Sequence, residues 1–320
     1  MLSRVANSIH WMSRYIERAE NIARFVDVVQ RLLLDLPDAS GTEWEALISA
    51  TGDKDAFTAS HGDANERNVI EFLTFDRENP NSMASCLFAA RENARSIREV
   101  ISSEMWEQIN RSYWMLRDAQ STERIKDDPE AFFSHFKKAC HLLIGITDTT
   151  MSHGDAWHFA RLGRLLERAD KTSRILDVKY FMLLPRVDYV GSPYDSLQWA
   201  ALLRCSSALE MYRKRHHHLT PEHVAEFLLL DRDFPRSVRF CLAASEESIR
   251  DITGSAPGTF CNTAEQKLGR LRADFDYTSI DEIIQQGLHE YLDTFQLRLN
   301  DVGAAIHDSF FAVRHAAAGA

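Results

Sequence analysis

Glycine and proline are both scarce, 13 and 8 in 320 residues, so turns are few and the segments between them long enough for extended helices. Cysteine is scarce too. Cys86, Cys140, Cys205, Cys241 and Cys261 make an odd count with no Cys-x-x-Cys spacing, which excludes neither metal nor redox chemistry but offers no framework for either. Reduced, buried thiols are the expectation, with Cys86 and Cys241 as inert core residues. No run of 18 apolar residues occurs, so no transmembrane helix is expected. Arg4 and Asn7 stand where a signal peptide needs its apolar centre, and the expected location is therefore the cytoplasm. Positive charge is in deficit as well. A net charge of −10 argues against nucleic acid or an anionic membrane surface as partner, since both need a basic face.

Motifs of known chemistry are also missing. There is no Gly-x-x-x-x-Gly-Lys-Ser/Thr loop, no Gly-x-Gly-x-x-Gly and no Gly-x-Ser-x-Gly, so nothing points to a nucleotide site or a nucleophile elbow in this chain. Di-iron bundles need Glu-x-x-His on two helices, and that spacing does not occur. The triplet His216, His217 and His218 reads as a solvated helix end, because consecutive helical residues point in different directions. No cofactor and no metal are expected.

What is present is a repeat. Residues 14–28 and 164–178 agree at seven of fifteen positions: Arg14/Arg164, Glu17/Glu167, Arg18/Arg168, Ala19/Ala169, Arg24/Arg174, Asp27/Asp177 and Val28/Val178. At about 100° per residue, Tyr15, Ile16, Ala19, Ile22, Ala23 and Val26 share one helical face, and Arg14, Glu17, Arg18, Glu20, Asn21, Arg24 and Asp27 the other. Leu165, Leu166, Ala169 and Leu176 form the apolar face of the second copy. A solvated face would need only charge of either sign, held by pairs such as Glu20 with Arg24 worth about 0.2–0.5 kcal/mol each. Here the residue types match in register. Two readings stay open: a solvated face, or charges that meet each other or a ligand between the repeats.

A second repeat pairs residues 71–92 with 226–247, eleven identities in twenty-two positions, now offset by 155. Its core is Asp76, Arg77, Pro80 and Ser82 against Asp231, Arg232, Pro235 and Ser237. One helix should end near the Asp-Arg pair and another begin around Ser82 or Ser237. The new helix could offer its N–H groups to an anion. The simpler reading has Asp76 and Asp231 capping that helix, with Arg77 and Arg232 bracing the turn.

The Glu-Arg-Ala core, its return in a Gly-Arg-x-Leu-Glu-Arg-Ala-Asp setting and the Phe-Leu-x-x-Asp-Arg-x-x-Pro-x-Ser motif together resemble the bacterial alpha-E family, over essentially the whole chain. The resemblance implies an all-helical fold. It implies no firm reaction, but such proteins are typically encoded with ATP-grasp-type amide ligases and transglutaminase-like proteins. A role beside such a partner in making or modifying peptide-like amides follows as an expectation. The alternatives are a stand-alone enzyme acting on an acidic amide or peptide through the Glu-Arg cluster, and a purely structural interaction module.

The remaining helix signals complete the plan. The first helix should run from about Ser3 to Leu36 and stop at Pro37; Thr42 to Glu45, Thr263 to Gln266 and Ser279 to Glu282 read as capping boxes. Asp128-Pro129 and Thr220-Pro221 read as helix starts with proline at the first position. Trp44, Ala46 and Leu47 recur as Trp199, Ala201 and Leu202, and the five extra residues fit an insertion around Pro185 to Pro193. Phe132 to Met151 and Tyr291 to Val313 occupy matching closing places. The loop from Gly254 to Gly258 reads as a connection. The expected fold is all-α: one domain over residues 1–320, a multi-helix bundle of two repeats, about 1–150 and 151–320, in pseudo-twofold arrangement.

Overall fold

A computed structural model describes residues 1–34, 42–122, 125, 128–182 and 193–312. Pro37, the side chain of Thr42, the segment at Pro185 and Val313 lie outside the described residues. Fifteen α-helices and no strand occur among them. In the first half these are α1 (Ser3–Leu34), α2 (Thr42–Thr51), α3 (Lys54–His61), α4 (Glu66–Thr74), α5 (Met83–Ser96), α6 (Ser103–Ser121) and α7 (Pro129–Thr150). The second half contributes α8 (Asp155–Met182), α9 (Pro193–Cys205), α10 (Leu209–Arg215), α11 (Pro221–Leu230), α12 (Val238–Thr253), α13 (Thr263–Tyr277), α14 (Ile280–Gln286) and α15 (Leu288–Ile306), which runs on into a π-helical turn at His307–Phe311.

Helix starts follow from local chemistry. Asp128 accepts the Ala131 N–H ahead of Pro129, and Thr220 accepts the His223 N–H ahead of Pro221. Ser279 and Glu282 form a reciprocal capping box. The expected box at Thr263 is shifted by one residue: Asn262 is the cap, accepting the Glu265 N–H at 2.9 Å, and Thr263 is already helical. Asparagine is the stronger N-cap of the two. The Glu265 carboxylate closes the end by accepting from the Cys261 N–H at 2.9 Å. His216 follows the last residue of α10 and stacks on Tyr212 and His223. Gly254 ends α12 in the left-handed region at φ 75°, so the loop after it is a helix connection.

The two longest helices, α1 and α8, pack against each other at the centre. Helices α5 and α7 flank α1, while α12 and α15 flank α8; α6 bridges α5 and α7 as α13 bridges α12 and α15. The short helices cross over, α2 packing on α8 and α9 on α1, with Trp44 and Trp199 buried beneath them. A continuous apolar core extends from Val5 to Phe311 and draws on both halves. Small residues permit the central contact. Ala19 and Ala169 are fully buried, and a Cβ built on Gly163 would stand 2.3 Å from the His10 carbonyl oxygen. Only glycine fits that approach.

Four thiols, Cys86, Cys140, Cys205 and Cys241, are buried as expected. Burial pushes Cys86, Cys205 and Cys241 up to about 12. Cys261 departs from the expectation and is exposed, because it lies in the polar turn before α13 rather than on an apolar helical face. No described helix is long and apolar enough to cross a membrane.

Candidate functional site

Helix α1 is enclosed by α5, α7, α8 and α9, so most of its polar face is shut off from water, with Arg14 and Arg18 partly exposed. Glu17, Glu20, Asn21, Arg24 and Asp27 are all buried. The solvated-face reading therefore fails. Charges taken out of water at this depth persist only when paired and hydrogen-bonded, and the repeat supplies the pairs.

The pairs are reciprocal. Glu17 on α1 accepts from Arg168 on α8, Nε at 2.8 Å to Oε1 and Nη2 at 2.9 Å to Oε2. Glu167 on α8 accepts from Arg18 on α1, Nε at 2.7 Å to Oε1 and Nη2 at 3.1 Å to Oε2. Each is a two-pronged guanidinium–carboxylate contact, the strongest neutralising geometry that side chains offer. Burial alone would raise both carboxyls, but it is outweighed: Arg168 and Arg236 hold Glu17 below its usual range, and Arg18, Arg14 and Lys171 hold Glu167 below its own.

Around this centre the halves diverge. Arg236, one residue before the Ser237 cap, donates to Glu17 Oε1 at 3.0 Å and to Glu20 Oε1 at 2.7 Å. Asn81 holds the same motif position in the first half and accepts from Arg18 Nη1 at 2.7 Å. Glu20 also meets Arg24 and lies 3.1 Å from His141 Nε2. Burial works against its charge, yet Arg236, His141 and Arg24 keep it well below the usual carboxylate range. Arg24 reaches on to Ser207, whose φ of 50° is the single positive value among described non-glycine residues. Arg174 donates its Nε to both oxygens of Asp170, each at 3.0 Å. Asp27 is held by Lys137 at 2.6 Å.

Arg14 and Arg164 complete the set and differ most. Arg14 lies over the Trp11 ring, 4.8 Å from its centre, and donates Nε to Glu167 Oε2 at 3.0 Å. Arg164 Nε is buried with no hydrogen-bond partner among the described residues. Burial first and then the Arg168 charge pull its guanidinium down to about 10.

The second motif is a turn rather than a part of this cluster. Ser82 and Ser237 are the N-caps of α5 and α12, accepting from the Ser85 and Phe240 N–H groups at 3.1 Å each. Asp76 and Asp231 do not cap those helices, contrary to expectation. Asp76 accepts from the Glu78 N–H at 2.8 Å, and Asp231 from the Asp233 and Phe234 N–H groups at 2.8 and 2.7 Å, because the intervening proline turn sets each aspartate too far upstream of the helix start. Arg77 is exposed over the Phe88 ring, and Arg232 is exposed beside Arg239 and Asp276. What joins the motif to the cluster is its non-identical position, Asn81 or Arg236. Matching identical residues passes over that pair.

Chemically, Glu17 and Glu167 have every carboxylate oxygen engaged by guanidinium donors and are held ionised, so neither is poised as a proton carrier near neutral pH. No group of three or more His, Cys, Asp or Glu side chains arranged to hold a metal occurs among the described residues.

Comparison with known proteins places these features in a family. The chain matches, at 22% identity over 278 residues, an uncharacterised protein of Mycobacterium bovis and two of Mycobacterium tuberculosis. The match covers 79% of this chain but only 30% of each relative. No solved structure matches. The Alpha-E family, described as a predicted alpha-helical domain with a conserved ER motif, matches residues 1–311. Glu17–Arg18 and Glu167–Arg168 are Glu-Arg dipeptides on the two central helices, and the chain belongs to the Alpha-E family.

Proposed function

We propose that this chain is a cytoplasmic helical accessory module that works beside an ATP-grasp-type amide ligase or a transglutaminase-like protein. Its two halves, about 1–150 and 151–320, form a single unit related by a pseudo-twofold axis between α1 and α8. The Glu-Arg repeat is the lock that sets this packing, and the bond-making chemistry belongs to the partner. One observation carries the reading: the two repeated glutamates spend all their oxygens on reciprocal guanidinium pairs across the central helices. Clusters of this kind fix a specific packing at little net gain in stability. The length of the relatives supports it, since most of each lies outside the match and leaves room for further parts in the same chain.

Native mass spectrometry of the protein purified gently from its own host tests the proposal. A defined complex with a ligase-like or transglutaminase-like chain is the expected result. Recovery of the chain alone, turning over an amide or peptide substrate unaided, would overturn it.

A further inference from the structure

The isolation of Arg164 has a cause in the sequence. Arg14 reaches Glu167 because the motif position facing that carboxylate is Asn81, which takes a donor from Arg18 and adds none of its own to Glu167. At Glu17 the corresponding position is Arg236, which donates to Oε1 beside Arg168 and Asn21 and brings a second guanidinium charge, while Oε2 accepts from Arg168 alone. Arg164 is left facing a cavity of about 30 Å³ between α1, α6, α7 and α8 instead. That volume admits a carboxylate head or an ordered water or two. The same cavity is lined by Glu20, whose Oε2 is buried without a partner. One cavity thus contains a guanidinium donor, Arg164 Nε, and a carboxylate acceptor, Glu20 Oε2, that no described residue satisfies. Buried groups in that state call for a ligand or water.

Met12, Ile16, Met105 and Leu143 supply apolar walls, and the half-exposed Asp148 side chain marks the open end near Trp157. We propose that Arg164 anchors the head group of a small carboxylate that also carries a hydrogen-bond donor, the class of free amino and hydroxy acids, with the donor directed to Glu20 Oε2. Glu20 is already matched by Arg24 and Arg236. Among the described residues Arg164 has no carboxylate within ion-pair distance, so the site calls for an anion there and only a donor at Glu20. The inference does not depend on the accessory role proposed above.

Calorimetric titration of the whole chain with glycolate, glycine, acetate and inorganic phosphate tests it. Glycolate or glycine binds most tightly, acetate more weakly, and Arg164→Met weakens the best of them by about 10- to 100-fold, the worth of one charge-assisted hydrogen bond. The variant should melt no lower than the parent, because it removes an unpaired buried charge. A merely structural Arg164 would instead lower the melting temperature and leave ligand behaviour unchanged. Should Arg164→Met fail to fold, the unmodified protein still decides: glycolate should protect Arg164 from phenylglyoxal, read by peptide mass spectrometry. No binding of any carboxylate, no protection, or binding of phosphate alone would overturn the proposal.

Discussion

Arg14 and Arg164 occupy matching places on the two central helices, yet Arg14 donates to Glu167 at 3.0 Å while Arg164 Nε has no partner among the described residues. The difference lies at a third place, Asn81 in one half and Arg236 in the other. Arg236→Asn should therefore remove one of the two guanidinium charges held against Glu17 and draw Arg164 onto its Oε2 at about 2.9 Å. A crystal structure of the variant checks this, and an Arg164 that stays unpartnered would refute the explanation. The variant loses stability because Glu20 forfeits a partner.

The close approach of α1 and α8 at Gly163 should be intolerant of a single methyl group. Gly163→Ala places a Cβ against the His10 carbonyl oxygen, backbone that cannot rotate away. Overpacking of this kind costs about 1–3 kcal/mol, measurable by urea denaturation. A variant as stable as the parent would mean that the helices can separate freely.

Acid should unfold the protein in two stages. Glu17, Glu20, Glu167 and Asp170 are all held below their ordinary values by basic neighbours that outweigh burial. A lowered folded value gives stability that is present above the unfolded value, about 4, and lost as pH falls through the folded one. His10 is pushed down to about 3 by burial and then by Arg14. It favours its neutral form, so its share is intact above about 6.5 and declines as pH falls toward 3. Denaturation at a series of pH values should show a shallow loss below about 6.5, removed in His10→Leu, and a steep loss below about 4. Stability that rises between pH 7 and 5 would contradict this assignment.

Thiol reactivity should single out Cys261. Cys86, Cys140, Cys205 and Cys241 are buried with raised values, and thiolate is the reactive form. Titration of the folded protein with Ellman's reagent should modify one thiol promptly and the other four only on unfolding. Prompt modification of Cys86 or Cys241 would show that the centre opens.

Much of this arrangement is legible in sequence because it is local or repeated. Helix starts at Asp128, Thr220 and Ser279 follow from side chains within three residues, and the register of Glu17-Arg18 with Glu167-Arg168 marks both helices as equivalent. The exceptions have physical reasons. Amphipathic patterning could not tell that the polar face of α1 would be buried, because enclosure by α5, α7, α8 and α9 is a property of the packing. Identity between repeats could not find Arg236, whose counterpart is Asn81. The isolation of Arg164 was hidden in turn, since it depends on the second guanidinium that Arg236 brings to Glu17. Asp76 and Asp231 read as caps because an aspartate just ahead of a helix commonly is one, whereas the proline turn decides how far upstream they lie.

The lock itself is tested most directly by a double-mutant cycle on Glu17 and Arg168, with Glu17→Gln, Arg168→Met and the double variant compared by chemical denaturation. Each single change should cost on the order of 3–5 kcal/mol, because it strands a buried charge. The double variant should be more stable than the two losses together imply, by roughly 0.5–3 kcal/mol. Small single losses that add to within about 0.5 kcal/mol would mean that the pair is not what holds α1 against α8.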